Sequence, residues 1–322
     1  MKRIAVLTSG GDAPGMNAAI RAVVEQALHH GVEVYGVYYG FKGLVEGNMR
    51  MLGVNDVSKN IKLGGTFLYS ARYPEFKEEA IQKIAIKQME RQQIDGLIVI
   101  GGDGSFQGAL SLTKLGFPAI GIPGTIDNDI PATEYTIGFD SAVSVALDAI
   151  DKISDTASSH NRTFVVEVMG RHAGDIAIWA GVASGSDAIL IPESDYNLED
   201  IVESVEKGRR SGKDHSIIIL AEGVQSVEDF VEDYSKLAPH QDIRGIALSH
   251  IQRGGSPTAR DRVFATLMGA RAVDMLLDGK EGIYLGIRNE QLATFDIVQA
   301  LQSKEHTVRA DLIQLNKTLT QR

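Results

Sequence analysis

Four polar residues crowd the end of an apolar run in the stretch GIPGTIDNDIP, Gly121 to Pro131: Thr125, Asp127, Asn128 and Asp129. Two carboxylates this close repel each other unless a cation offsets them. Phosphoryl transfer to an alcohol needs such a set. A carboxylate takes the hydroxyl proton, and a divalent ion neutralises the phosphates. If the segment is extended, Asp127 and Asp129 face the same side. A turn built around Asn128 uses the same residue types. Spacing does not choose between these readings, nor does it say which aspartate is the base.

Two other stretches read as strand, glycine turn and helix start: LTSGGDAPGMNAAIR (Leu7–Arg21) and VIGGDGSFQGA (Val99–Ala109). Gly10 and Gly11 let a ligand approach the backbone, and a helix N-terminus favours an anion. Neither stretch matches G-x-x-x-x-G-K-[ST] or G-x-G-x-x-G, so a P-loop and a nicotinamide dehydrogenase both lose support. An acid follows each glycine pair, Asp12 and Asp103. An acid repels phosphate unless a metal lies between them, and Mg²⁺ uses one or two carboxylates plus phosphate oxygens. Asp103 is the expected metal ligand, and Asp12 is expected to cap a helix.

Arg72, Arg162, Arg171, Arg244 and Arg253 stand beside glycines or the ends of apolar runs. Bidentate guanidinium contacts suit a sugar phosphate or a polyphosphate; any one of these arginines taken singly reads better as a surface ion pair, but five beside strand ends point together to an anion. Glu222 and His250 have the chemistry to hydrogen-bond sugar hydroxyls or phosphate, and a histidine such as His250 is also a common structural residue.

The elements that must position these groups are legible as apolar runs. Strands are expected at Ile4–Leu7, Val32–Tyr39, Leu97–Ile100, Ala119–Ile122, Phe164–Val168, Ala188–Ile191, Ile217–Ala221 and Ile246–Leu248. Several are continuous rather than alternating, as in strands covered on both faces. Helical patterns fill Met16–His30, Lys77–Gln93, Ala142–Thr156 and Leu198–Gly212. The alternation predicts an α/β fold with parallel sheets, in which ligands bind beyond the carboxyl ends of strands.

A chain of 322 residues suits two domains. It has no cysteine, which excludes disulfides and thiolate zinc sites. A net charge of −10 argues against a general nucleic-acid binder but not against small anionic substrates. No apolar run suits a signal peptide or a membrane span, so neither membrane nor nucleic acid is an expected partner and the expected location is cytoplasmic.

In order along the chain, TSGGDAPGMNAAIR, GGTFLYSAR, IGGDGS, PGTIDNDI, TIGFD, VMGRHAGD, AEG and HIQRGGSPTARDR together resemble the bacterial-type ATP-dependent 6-phosphofructokinases. The resemblance implies two similar three-layer α/β domains with mainly parallel sheets and an active site in the cleft between them. The larger, ATP-binding domain would comprise 1–138 plus 251–301, and the smaller, sugar-phosphate-binding domain 139–250 plus 302–322. The implied reaction is Mg-ATP plus fructose 6-phosphate giving ADP plus fructose 1,6-bisphosphate, in glycolysis. Asp127 is then the base, with Thr125 beside it. Asp103 is the magnesium ligand, and Asp129 acts through water. Gly11, Arg72, Gly102, Gly104 and Ser105 match ATP-phosphate contacts, and Tyr73 occupies a neighbouring position. Phe41 and Lys77 match positions near the adenine. Arg72 and Arg171 offset charge on the transferring group. Sugar-phosphate contacts map to Thr125, Ile126, Asp127, Arg162, Met169, Gly170, Arg171, Glu222, Arg244, His250, Ile251, Gln252 and Arg253. Homotetramers are implied, with Arg162 and Arg244 reaching in from a neighbouring subunit.

Donor choice follows from two glycines. Pyrophosphate-using relatives resemble this chain with Asp and Lys at the positions of Gly104 and Gly124, so glycine at both favours ATP. A second, effector site would use Arg21, Gly185, Asp187, Lys213 and His215. Glu25, Val54, Ser154 and Ser211 stand where the family often has cations, and Lys59 replaces an Asp, so weak effector control is expected. The competing readings are a pyrophosphate-dependent enzyme and a non-catalytic sensor of nucleotide and sugar phosphate. A sensor has no need of the set Asp103, Asp127, Asp129, Arg72 and Arg171. The path of Gln225–Asp242 is not predicted.

Overall fold

The computed structural model of the chain describes residues 1–303 and 306–320. In the first half, β1 Arg3–Thr8 leads to α1 Met16–His29, β2 Glu33–Val37, α2 Gly40–Glu46, β3 Met49–Leu52 and α3 Val54–Val57. Next come α4 Glu79–Arg91, β4 Gly96–Gly101, α5 Asp103–Lys114, β5 Ala119–Pro123 and α6 Phe139–His160. The second half runs β6 Thr163–Val168, α7 Asp175–Ser184, β7 Ala188–Leu190, α8 Leu198–Arg210, β8 Ser216–Ala221, α9 Val227–Leu237 and β9 Ile243–Ala247. It closes with α10 Ala259–Leu277, β10 Ile283–Arg288, β11 Gln291–Asp296, α11 Ile297–Ser303 and α12 Ala310–Thr320.

These elements form two compact units, each built from separated stretches of chain. Unit 1 is Met1–Ile126, Ile130–Ser141 and Arg253–His306; unit 2 is Asp127–Asp129, Ala142–Gln252 and Thr307–Arg322. Residues 304, 305, 321 and 322, within the tail expected to belong to the smaller domain, lie outside the described residues.

Unit 1 holds a seven-stranded sheet in the order β11-β10-β5-β4-β1-β2-β3. Its five inner strands are parallel, and β3 and β11 pair antiparallel at the edges. β4 and β5 are buried at every position and β1 at every position but the first. That is why they read as unbroken Val, Ile and Leu runs. Phe106 stacks on Tyr284 at 4.8 Å and Phe41 on Phe76 at 4.3 Å beneath the sheet. Each such side chain stabilises the fold by about 1.5–3 kcal/mol relative to exposure.

Unit 2 is a wholly parallel four-stranded sheet, β7-β8-β6-β9. Val165, Leu190, Ile218, Leu220, Phe230 and Tyr234 fill one of its faces. Asn197 caps α8 by accepting from the Glu199 N–H, and Ser226 caps α9 by accepting from the Asp229 N–H. The Gln225–Asp242 stretch, whose path sequence left open, is thus mostly α9, and Tyr234 donates its hydroxyl hydrogen to Gln241 at 2.7 Å. The last strand of this sheet is Ile243–Ala247, earlier than the expected Ile246–Leu248. No helix among the described residues is long and apolar enough to cross a membrane.

Candidate active site

The register of unit 1 sets the carboxyl ends of its central strands side by side. Thr8 of β1 pairs with Ile100 of β4, and Gly101 of β4 with Pro123 of β5. The turns after β1, β4 and β5 therefore open on one rim. Ser9 N–H donates to the Ile100 carbonyl at 2.9 Å, and Gly124 N–H to the Gly101 carbonyl at 3.0 Å. These bonds extend the sheet's order into the turns.

After β1, the turn is tied to the loop that carries Arg72 and Tyr73. Ser70 donates to the Gly10 carbonyl at 2.6 Å, and Thr8 to the Tyr69 carbonyl at 2.9 Å. Asn17 donates to the Gly64 carbonyl and accepts from Phe67 N–H. A cavity of about 620 Å³ lies between these segments, with Gly10, Gly11, Asp12, Gly65 and Tyr69 among its lining. Asp12 is not a helix cap: α1 starts four residues later behind Gly15, whose φ of 104° only glycine adopts readily. Arg253, expected with the sugar phosphate, packs on Gly11 and donates to the Asp12 carbonyl at 3.3 Å.

After β4, Gly102 is the N-cap and Asp103 the first residue of α5. Asp103 and Gly104 are exposed, Ser105 is buried, and a Cβ at Gly102 or Gly104 would meet nothing within 4 Å. Nothing in the protein requires glycine there for space. Phe41 is a core residue, 6% exposed, and packs so closely on Gly108 that a Cβ there would lie 2.5 Å away. Lys77 is exposed.

After β5, Thr125 N–H donates to the Ile137 carbonyl at 3.1 Å, and its own carbonyl accepts from the Thr136 hydroxyl at 2.7 Å. Ile126 and Asp127 are buried, and Asp129 is half-buried. The segment is not extended. Asn128 has φ 55°, so the chain turns there and the alternation that would aim Asp127 and Asp129 to one side does not apply. Asn128 tolerates this left-handed conformation, and its amide donates to Asp175 at 3.3 Å.

In unit 2, Glu222 follows β8 and shapes the turn after β6. One of its oxygens accepts from Gly170 N–H at 3.1 Å and Arg171 N–H at 2.7 Å. Arg171 is held at φ 54° with its side chain exposed. Gln252, wholly buried, accepts from Met169 N–H at 2.8 Å. His250 and Ile251 are exposed in the short turn Ser249–Arg253. Arg162 and Arg244 stand on neighbouring strand ends and converge on Asp242, at 2.6 and 3.1 Å. The Arg162 hydrogen bond holds the Asp242 carboxyl below the usual carboxylate range. Sequence reading passed over Asp242; its place two residues before Arg244, at the start of a strand, was the available signal.

Of the effector candidates, Arg21 pairs with Glu25 at 2.8 Å within α1. Lys213 pairs with Asp187 at 2.5 Å, and His215 with Asp214 at 2.7 Å. Gly185 ends α7 at φ 64°.

The sequence profile described as Phosphofructokinase matches residues 3–276. An ATP-dependent 6-phosphofructokinase of Bacillus cytotoxicus is 55% identical over 320 residues, covering 99% of this chain and all of that one. The protein of the same description from Bacillus thuringiensis is equally similar over the same span. The solved phosphofructokinase of Saccharomyces cerevisiae superposes with a TM-score of 0.89 at 34% identity, over 99% of this chain and 48% of the yeast chain. Profile, full-length identity and fold agree, and the chain belongs to the phosphofructokinase family.

Proposed function

We infer that this chain transfers the terminal phosphoryl group of ATP to the 1-hydroxyl of fructose 6-phosphate, releasing ADP and fructose 1,6-bisphosphate. The observation that carries this reading is the rim of unit 1, where the turns after three adjacent parallel strands bring Gly11, Asp103 and Thr125 to one edge of the sheet. The names of the Bacillus relatives support the same reaction.

In the mechanism we propose, Asp127 accepts the proton of the 1-hydroxyl as its oxygen attacks the terminal phosphorus, and the bond to the ADP oxygen breaks in line. Thr125 lies beside the acceptor. Arg72 and Arg171 offset charge on the transferring group. Gly11, Gly102, Gly104, Ser105 and Tyr73 line the path of the nucleotide phosphates. The exposed carboxylate of Asp103, with open space at both flanking glycines, fits a hard cation such as Mg²⁺. Bound there, with Asp129 reaching it through water, the ion would neutralise phosphate charge.

Unit 1 would thus take the nucleotide and unit 2 the sugar phosphate, through Arg162, Met169, Gly170, Arg171, Glu222, Arg244 and His250. Gln252 and Glu222 act there largely by shaping the backbone of Met169–Arg171. In a cytoplasmic homotetramer, Arg162 and Arg244 would complete a neighbour's site, and an isolated subunit would be inactive.

ATP rather than pyrophosphate is the donor on this reading. Gly104 leaves room for a nucleotide, and Gly124 is too confined for a longer residue without movement, since a Cβ there would lie 3.0 Å from Ile100. A coupled assay of fructose 1,6-bisphosphate formation over a range of fructose 6-phosphate, run with ATP and then with pyrophosphate, tests the reading. Turnover with pyrophosphate alone overturns the donor, and turnover with neither leaves the sensor.

A further inference from the structure

Asp261 plays no part in the chemistry above, yet its carboxylate is wholly buried and fully engaged. One oxygen accepts from Gly138 N–H and from the Tyr135 hydroxyl, both at 2.6 Å. The other accepts from Ser141 N–H at 2.9 Å and from the Ser141 hydroxyl at 2.5 Å. Gly138 and Ser141 flank the first turn of α6, and Asp261 itself sits in the first turn of α10. The carboxylate therefore caps the N-terminus of the 22-residue α6 from within the first turn of the 19-residue α10. Their unpaired amides and macrodipoles both favour negative charge there.

The local pattern is a capping box with a link inserted. Thr258 caps α10 by accepting from Asp261 N–H at 3.3 Å. The return bond to Thr258 N–H comes from the Ser141 hydroxyl, at 3.0 Å, rather than from Asp261 directly. Ser141 accepts on one side and must donate to Asp261 on the other.

This geometry accepts one chemical species. Each oxygen of Asp261 faces a backbone N–H, and a backbone donor cannot reverse. An asparagine of the same shape would set its NH₂ against one of those donors and leave a buried polar group unpaired. Burial raises the Asp261 carboxyl above the usual carboxylate range, with its hydrogen-bond donors opposing the rise, while burial and the neighbouring carboxylate keep Tyr135 a phenol and hence a donor.

The strip that Asp261 grips is also the strip that grips Thr125. Ile137 takes the Thr125 N–H and gives its own to the Pro123 carbonyl at 3.0 Å, and Thr136 donates to the Thr125 carbonyl. We propose that Asp261 is a positioning residue for phosphoryl transfer: reaching from the first turn of α10 to cap α6, it fixes Tyr135–Gly138, and through that strip the backbone of Thr125, two residues ahead of Asp127. The role rests on reading Thr125–Asp127 as the catalytic loop.

The test compares Asp261→Asn, Ser141→Ala and Thr136→Val with the parent chain, each assayed well below its own Tm, with Asp127→Ser as reference. A misplacement of this kind costs roughly 10–100-fold in kcat. Asp261→Asn is expected to lose that much with the KM for ATP little changed. Ser141→Ala removes the inserted link but leaves both backbone amides on Asp261, so its Tm falls while kcat is retained. Thr136→Val removes the hydroxyl's bond to the Thr125 carbonyl while the Ile137 bond and the cap remain, so kcat falls by more than its drop in Tm accounts for. Full kcat in Thr136→Val, or kcat losses in Asp261→Asn and Ser141→Ala that merely follow their Tm, overturns the proposal. Where Asp261→Asn does not fold, the other two variants decide on the same terms. Normal turnover in Asp127→Ser would instead remove the reading of the loop itself, a separate failure.

Discussion

The guanidinium of Arg253 lies directly on Gly11: a Cβ at position 11 would be 2.0 Å from Nη1. Arg253 Nε is buried with no hydrogen-bond partner among the described residues, and Nη1 has only a long bond to the Asp12 carbonyl. The arginine expected to bind sugar phosphate therefore rests on the turn expected to bind ATP.

Gly11→Ala must displace Arg253, so it is expected to raise the KM for both substrates rather than for ATP alone. Loss of one charged hydrogen bond, about 1.5–3 kcal/mol, corresponds to roughly 10–100-fold in kcat/KM for fructose 6-phosphate. Steady-state kinetics with each substrate varied in turn checks this. A change confined to ATP would detach Arg253 from the sugar phosphate.

Asp127→Ser removes a buried carboxylate, 4% exposed in the parent. If Asp127 is the general base, kcat falls by about 10²–10⁴-fold. Equilibrium binding of fructose 6-phosphate should change little, because serine keeps a polar group at the turn. Near-normal turnover would reassign the base.

Arg162 and Arg244 share Asp242, which orients both guanidinium groups at the edge of unit 2. Arg162→Ser should raise the KM for fructose 6-phosphate with a smaller effect on kcat, and Asp242→Asn should move the KM the same way by less. The pH dependence has a definite sign. The carboxyl of Asp242 is held low, so the pairing is present above the ordinary carboxylate pKa and lost as pH falls through the depressed value. The KM should thus show no step from this pair between about pH 5 and 8. A step there that vanishes in Asp242→Asn would contradict this.

Much of this site is legible in sequence because it follows strands buried on both faces. β1, β4 and β5 are continuous apolar runs, so the glycine turns after them stand out, and parallel pairing puts those turns on one rim. The edge strands β3 and β11 are partly exposed and carry no such run, and Gly286 interrupts β10. Side-chain roles fared differently. Asp12 looks like a cap, but Gly15 bends the chain before α1 begins. Asp127 and Asp129 look like one face of a strand, but Asn128 turns left-handed between them. Asp261 was invisible as an anchor because the partners of its carboxylate lie 120–126 residues away, and Asp242 was only half visible because Arg244 is two residues on but Arg162 is 80 residues away.

Two of the cations expected at an effector site are already paired within their own units. Glu25 holds Arg21, and Asp187, itself nearly buried, holds Lys213. If these residues bind an effector phosphate, it must compete with Glu25 for Arg21 and with Asp187 for Lys213. Titration of phosphoenolpyruvate against activity at subsaturating fructose 6-phosphate should therefore show weak inhibition. Glu25→Gln should strengthen it by freeing Arg21. Strong inhibition of the parent chain at micromolar concentrations would show that other groups bind the effector.

Donor choice can be tested at Gly104 because that position is open. A side chain there meets no protein atom within 4 Å, so Gly104→Asp should fold with little change in Tm. Its carboxylate would project from the second residue of α5, next to Asp103, into the space read as the path of the ATP phosphates. Like charges in such a site repel by an amount comparable to a charged hydrogen bond, about 1.5–3 kcal/mol. The kcat/KM for ATP should fall roughly 10–100-fold, while the affinity for fructose 6-phosphate, measured separately by equilibrium binding, stays near the parent value. A Gly104→Asp enzyme that used ATP as well as the parent does would place the nucleotide elsewhere and remove the argument that this glycine selects the donor.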